Sequence, residues 1–234
     1  MKDKEIDEIL KQAAEASGDV NPALLDRVAK SIEFTLRPVR PLPPTWVLSG
    51  SLMLICAGIA TAGATVLGLH GIHKMNVLDR SVIFPALGIL VGLTATAFVV
   101  EMIPGSRRRV APVPMLVVSS LALLAIFAVL FRELRTDHFL SQGLVCLSAG
   151  LLHAIPTGLA SWLLLRRGFA VNPSTAGLAA GTLAGLAGVA MLELHCPNFQ
   201  TLHVLVWHTA VLLVSGALGA SLIWAGTHWN ALRR

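Results

Sequence analysis

Residues 192–208 read LELHCPNFQTLHVLVWH. Glu193, His195, Cys196, His203 and His208 thus bring a carboxylate, a thiol and three imidazoles into one short stretch of an otherwise apolar chain. Thiolates and imidazoles are ligands for soft and borderline metals, and in an oxidising compartment two thiols can also pair. Among the three cysteines, Cys146 and Cys196 are the candidates for either chemistry. Cys56 falls in the middle of an apolar run and reads as a small apolar filler. His195 and His203 flank Cys196 at one level, and Glu193 shares its helix face at i, i+3. The candidate metal ligands are therefore His195, His203 and Glu193, with His153 as a further one near the middle of another apolar run. Ionisable groups inside such runs are candidates for function, although an imidazole there can also simply bond a backbone carbonyl. On an α-helix His203 and His208, five residues apart, point about 140° away from each other. These groups come from different helices, and their spacing leaves a disulfide, a metal site and plain packing open.

The elements that must carry these groups are membrane-spanning helices. The chain has 234 residues, 55% hydrophobic and 13% charged, with a mean hydropathy of +0.73. A soluble fold of this size needs a more charged surface. A bilayer core of ~30 Å takes roughly 20 apolar residues of helix per crossing. Six segments qualify, at about 46–69, 81–104, 110–131, 139–165, 173–196 and 201–226. They do not alternate in the way barrel strands do. The expected fold is an all-α membrane protein: a cytoplasmic extension and Pro-rich tether over residues 1–44, then a six-helix transmembrane domain over 45–234.

Charge sets the orientation. Lys and Arg concentrate on the cytoplasmic side of spanning proteins. With both termini in the cytoplasm, the inner side holds seven basic residues of the extension, Arg107–Arg109, Arg166, Arg167, Arg233 and Arg234, while the outer side holds only Lys74, Arg80, Arg132 and Arg135. The stretch 192–208 then straddles the last outer loop. The first forty residues lack the apolar core of a signal peptide. Glu101 is placed near the inner end of the second span, within reach of Arg107–Arg109 as an interfacial ion pair. Gly177, Gly181, Gly185 and Gly188 in the fifth span let helix backbones approach closely, as a seam inside the bundle or a face between copies.

The extension reads as two amphipathic helices. KEIDEILKQAAEA puts Ile6, Ile9, Leu10 and Ala13 on one stripe. Asn21 and Pro22 then resemble a cap and first turn, and Leu25, Val28, Ile32 and Leu36 share one face of the next helix. RPVRPLPP ends it, because consecutive prolines remove donors. Helices this small need a partner to cover their apolar faces, either the membrane surface or a groove on another protein. Leu25, Val28, Ile32 and Leu36 are accordingly the candidate partner-binding residues. HExxH, Walker A and GxSxG motifs are missing, and nothing reads as a nucleic-acid module.

ELHCPN followed by LHVLVWH, the RRG loop, NPSTAGLAAG, a cysteine in the fourth span and RPVRPLPP before the first resemble the NrsF-type family of six-span inner-membrane anti-sigma factors. The resemblance covers about residues 37–230. It implies regulation rather than catalysis, an extracytoplasmic-function sigma factor as the cytoplasmic partner, no direct contact with nucleic acid, and signal-related roles for Cys146 and Cys196. The extension of about forty residues is longer than the family's usual tail, and the HxxxCxxC zinc element of soluble anti-sigma domains is missing. The expected function is that of an inner-membrane anti-sigma factor sensing a periplasmic redox or soft-metal signal. The alternative is a small haem-binding or redox membrane protein using His153, His203 and His208.

Overall fold

The computed structural model describes residues 8, 11, 22–35, 43–103, 111–136, 138–168 and 170–232. These form helices α1 (Pro22–Thr35), α2 (Thr45–Leu67), α3 (His70–Lys74), α4 (Val77–Glu101), α5 (Pro112–Leu130), α6 (Phe139–Leu165), α7 (Pro173–His195), α8 (Thr201–His203) and α9 (Thr209–Leu232), with a π-helical turn over Val204–His208 joining α8 to α9. Among the described residues there is no strand, only an isolated bridge between Glu133 and Gln200. The chain divides into two compact units, residues 1–41 and 42–234.

In the first unit, α1 carries an ion pair between Asp26 and Lys30 at 3.0 Å, one turn apart. Pro22 opens this helix. The backbone of Leu25, Val28 and Ile32 lies in α1, while their side chains and all of Leu36 lie outside the described residues. So does most of the expected first amphipathic helix.

In the second unit, six helices are long and apolar enough to cross a membrane: Thr45–Leu67, Val77–Glu101, Pro112–Leu130, Phe139–Leu165, Pro173–His195 and Thr201–Gly226. They match the six expected segments. The second begins four residues earlier than its apolar run. Asn76 caps it, its side chain accepting from the Asp79 amide at 2.8 Å, so Asp79 and Arg80 belong to the first turn rather than to a loop. Large apolar side chains such as Leu54, Val66, Leu121 and Leu222 lie exposed on the outer surface, as a lipid-facing wall requires.

α7 is the axis of the bundle. It packs against each of the other five spans, and 83% of its most apolar stretch is buried against 50% or less in the others. Its small residues make this possible. A Cβ at Gly177 would lie 2.5 Å from the Gly219 carbonyl oxygen of α9, and one at Gly181 would meet the Ser215 carbonyl. Further along the same face, a Cβ at Gly188 would run into the Gly150 carbonyl of α6 and meet Val211 of α9. The glycine stripe is thus a seam inside the bundle. In lipid, close van der Waals packing of this kind holds helices together.

Glu101 is buried and accepts from the Thr175 hydroxyl at 2.9 Å. Arg107–Arg109, its expected partners, lie outside the described residues.

Candidate functional site

The end of the bundle where α6 begins and α7 ends is built around the 193–208 segment. α7 stops at His195, and Pro197 cannot continue it. Two sets of bonds then fix the connection to α8. On one side, Thr201 donates its amide to the Glu133 carbonyl at 2.8 Å and its hydroxyl to the Phe131 carbonyl at 2.8 Å. Phe131 and Phe199 stack there with centroids 5.0 Å apart. On the other side, α3 lies so close that a Cβ at Gly71 would sit 2.6 Å from the Glu193 carbonyl oxygen. Lys74 donates to the Pro197 carbonyl at 3.4 Å. Asn198 donates to Gln142 of α6 at 2.7 Å.

That last bond explains how the two cysteines meet. By helix rise alone, Cys146 should sit about 10 Å inside the start of α6 while Cys196 ends α7. But α6 extends beyond the level at which α7 ends: Gln142, one turn before Cys146, contacts Asn198, two residues past Cys196. Helical Cα–Cβ bonds also tilt toward the N-terminus, which leans Cys146 toward the end of α7. The two sulfurs lie 3.5 Å apart as free thiols.

His203 Nε2 approaches the Cys196 sulfur at 3.6 Å. His208 is buried and its Nδ1 bonds Glu193 Oε1 at 2.6 Å, neither side chain having any exposure. A carboxylate accepts only, so Nδ1 is the donor and Nε2 the nitrogen left over. The rings of His203 and His208 are 5.6 Å apart. One donor atom each from Cys146, Cys196, His203 and His208 fall within 4.8 Å of one another.

His208 in this group corrects the helical-wheel expectation. The 140° divergence from His203 assumes α-helical turns. Val204–His208 is instead a π turn, whose i→i+5 bonding stacks residues five apart nearly above one another. The neighbouring packing suits that widened turn. Gly143 of α6 leaves the space that the Trp207 ring fills, and Phe139 packs beside it with centroids 5.4 Å apart. Phe127 of α5 meets His208 edge-on at 6.4 Å.

The other candidates go elsewhere. His195, one residue before Cys196, is turned roughly 100° around the helix. Its Nδ1 lies 2.8 Å from the Gly68 carbonyl, and its ring sits 5.9 Å from that of His70. Gly68 there has φ 101°, a left-handed conformation that favours glycine. His153 bonds the Ala149 carbonyl at 2.8 Å through Nδ1 and packs against Gly63 of α2. Neither joins the converging donors. Glu193 orients His208 rather than adding a fifth donor to the group. Cys56 is buried as a core filler.

Several polar atoms here are buried without a hydrogen bond: Glu193 Oε2, His203 Nδ1 and His208 Nε2. Leaving such atoms unpaired is costly. The Cys196 thiol, just past the end of α7, is held above the usual thiol range, first by the Cys146 thiol and then by burial, against the pull of His203 and His208.

The fold and site define a polytopic helical membrane protein with a buried thiol–imidazole cluster at one end of its bundle. The chain belongs to the NrsF family, described as negative regulator of sigma F, whose family model matches residues 35–229. No curated protein and no solved structure matches it. Membership makes the chain a negative regulator of a sigma factor and favours a regulator over an enzyme or a haem protein.

Proposed function

We propose that this protein holds an extracytoplasmic-function sigma factor at the inner membrane, both termini in the cytoplasm, and releases it when a periplasmic redox or soft-metal signal reaches Cys146 and Cys196. The observation that carries the reading is the sulfur pair at 3.5 Å in a chain of this regulatory family. Fourteen basic residues against four favour the orientation that puts this end of the bundle outside. Thiols there meet an oxidising compartment. The partner-binding element is the extension over residues 1–44, with Leu25, Val28, Ile32 and Leu36 as its apolar face.

Regulation requires that the input favour one packing of the bundle over another. Cys146 is on α6, Cys196 follows α7, and α7 touches every other span, with its close-packed glycine seam against α9 and α6. A change of distance at the sulfurs is therefore passed along α7 as a rigid displacement. The test is co-purification from membranes. Replacing Leu25, Val28 and Ile32 together with Asp should release the sigma factor while the protein stays in the membrane fraction. Retention of the sigma factor at the wild-type level would refute the partner assignment.

A further inference from the structure

We infer that Cys146, Cys196, His203 and His208 form a four-coordinate site for a zinc-class divalent cation, with Glu193 bracing His208 from behind. The inference rests on reading this cluster as the input site, and it names the ligand the cluster takes.

Three observations carry it. The first is spacing. Around tetrahedral zinc, with Zn–S about 2.3 Å and Zn–N about 2.0–2.1 Å, adjacent donors lie about 3.3–3.8 Å apart. The sulfurs here are 3.5 Å apart, Cys196 Sγ and His203 Nε2 are 3.6 Å apart, and all four donor atoms lie within 4.8 Å.

The second is the orientation of His208. Metal-bound histidines characteristically donate their far N–H to a carboxylate or carbonyl, which fixes the tautomer and aims the other nitrogen at the metal. Glu193 Oε1 accepts from His208 Nδ1 at 2.6 Å. His208 Nε2, buried and without a hydrogen bond, is then the nitrogen left among the other three donors, and the neutral imidazole offers it to a metal as a lone pair. An ordinary packed histidine would have that nitrogen satisfied.

The third is the π turn at Val204–His208. It brings together two imidazoles that an α-helix would separate. Such turns recur at functional sites.

The ligand set selects the metal. Two thiolates and two neutral imidazoles around a divalent ion sum to zero charge, which a buried site can hold without a further counter-ion. A monovalent soft ion would leave a net negative core beside the Glu193 carboxylate. Hard cations such as magnesium require oxygen ligands. With four protein donors the site is closed, like structural zinc sites, and it leaves no open position for a bound water to do chemistry. Occupancy would cross-link α6, the end of α7 and the turn leading into α9.

The experiment uses the full-length chain, purified in detergent with its thiols reduced and then stripped of metal. Cobalt(II) is the optical probe and zinc the competitor. The expected result is one equivalent of cobalt per chain, with the intense visible bands of a tetrahedral ion and thiolate-to-cobalt charge transfer, all lost on adding zinc. Cys146→Ser and His208→Ala should abolish the tetrahedral spectrum. Glu193→Gln keeps the ligands and should retain the spectrum with binding weakened about 10–100-fold. His195→Ala and His153→Ala should bind as the wild type does. Wild-type protein that gives only the weak spectrum of octahedral cobalt, or binding undiminished in Cys146→Ser, would overturn the inference. Equal binding by Glu193→Gln and wild type would overturn the bracing role. The readout involves no sigma factor, so it stands or fails separately from the partner assignment.

Discussion

Replacing His208 with Leu removes the hydrogen-bond partner of a carboxylate that has no exposure. Glu193 Oε1 accepts from His208 at 2.6 Å, and Oε2 makes no hydrogen bond. Breaking a buried pair by deleting one member costs about 3–5 kcal/mol, because the other charge stays buried and uncompensated. At about 2–4 °C per kcal/mol for a unit of 150–250 residues, the melting temperature should fall by roughly 6–20 °C. Changing both residues to Leu removes both polar groups, and replacing a buried pair with apolar side chains is often neutral or stabilising by about 1–4 kcal/mol. The double variant should therefore melt well above the His208→Leu single. The assay is thermal unfolding in detergent followed by tryptophan fluorescence, with a chelator present so that loss of a metal is not counted. If His208→Leu melts with the wild type, or the double variant melts no higher than the single, Glu193 is not an isolated buried charge and the reasoning fails.

Three further outcomes follow from the same packing. Gly181→Ala drives a Cβ into the Ser215 carbonyl and should cost about 1–3 kcal/mol by overpacking, whereas Gly50→Ala, with nothing within 4 Å, should be neutral or stabilising by about 0.5–1 kcal/mol; the same melting assay separates them. A mild thiol oxidant should join Cys146 to Cys196, two thiols losing two hydrogens to the oxidant, and leave Cys56 free. Peptide mapping that finds Cys56 in the bond would contradict the arrangement. Cys56→Ala should leave signal-dependent release of the sigma factor unchanged, since Cys56 is core filler.

The spans were legible because a helix that meets lipid must be apolar over its whole length, and that leaves a long uninterrupted signal. The start of α4 was the exception. A short polar side chain, Asn76, sets it by capping, and hydropathy does not register caps. The tight contact of α7 with α9 and α6 was foreshadowed by Gly177, Gly181, Gly185 and Gly188, since a glycine lets a neighbouring backbone come where a Cβ would otherwise stand. At the site, the residue types were readable but their grouping was not. Cys146 and Cys196 seemed offset because the relative heights of α6 and α7 depend on tertiary contacts such as Gln142 with Asn198. His208 was placed on the wrong side because periodicity arguments assume 3.6 residues per turn, and the π turn departs from it. The signal that could have found it was Glu193: a carboxylate inside a span demands a partner, and His208 is a titratable side chain on the next one.

The most direct measurement is transcription from a promoter served by the partner sigma factor, followed before and after exposure to a thiol oxidant or to a soft or zinc-class metal ion. Wild-type cells should keep the promoter silent until the signal arrives and then induce it. Cys146→Ser and Cys196→Ser cells should lose that induction, with the protein still in the membrane. If both variants repress and induce as the wild type does, the thiol–imidazole cluster is packing and the sensing account is wrong.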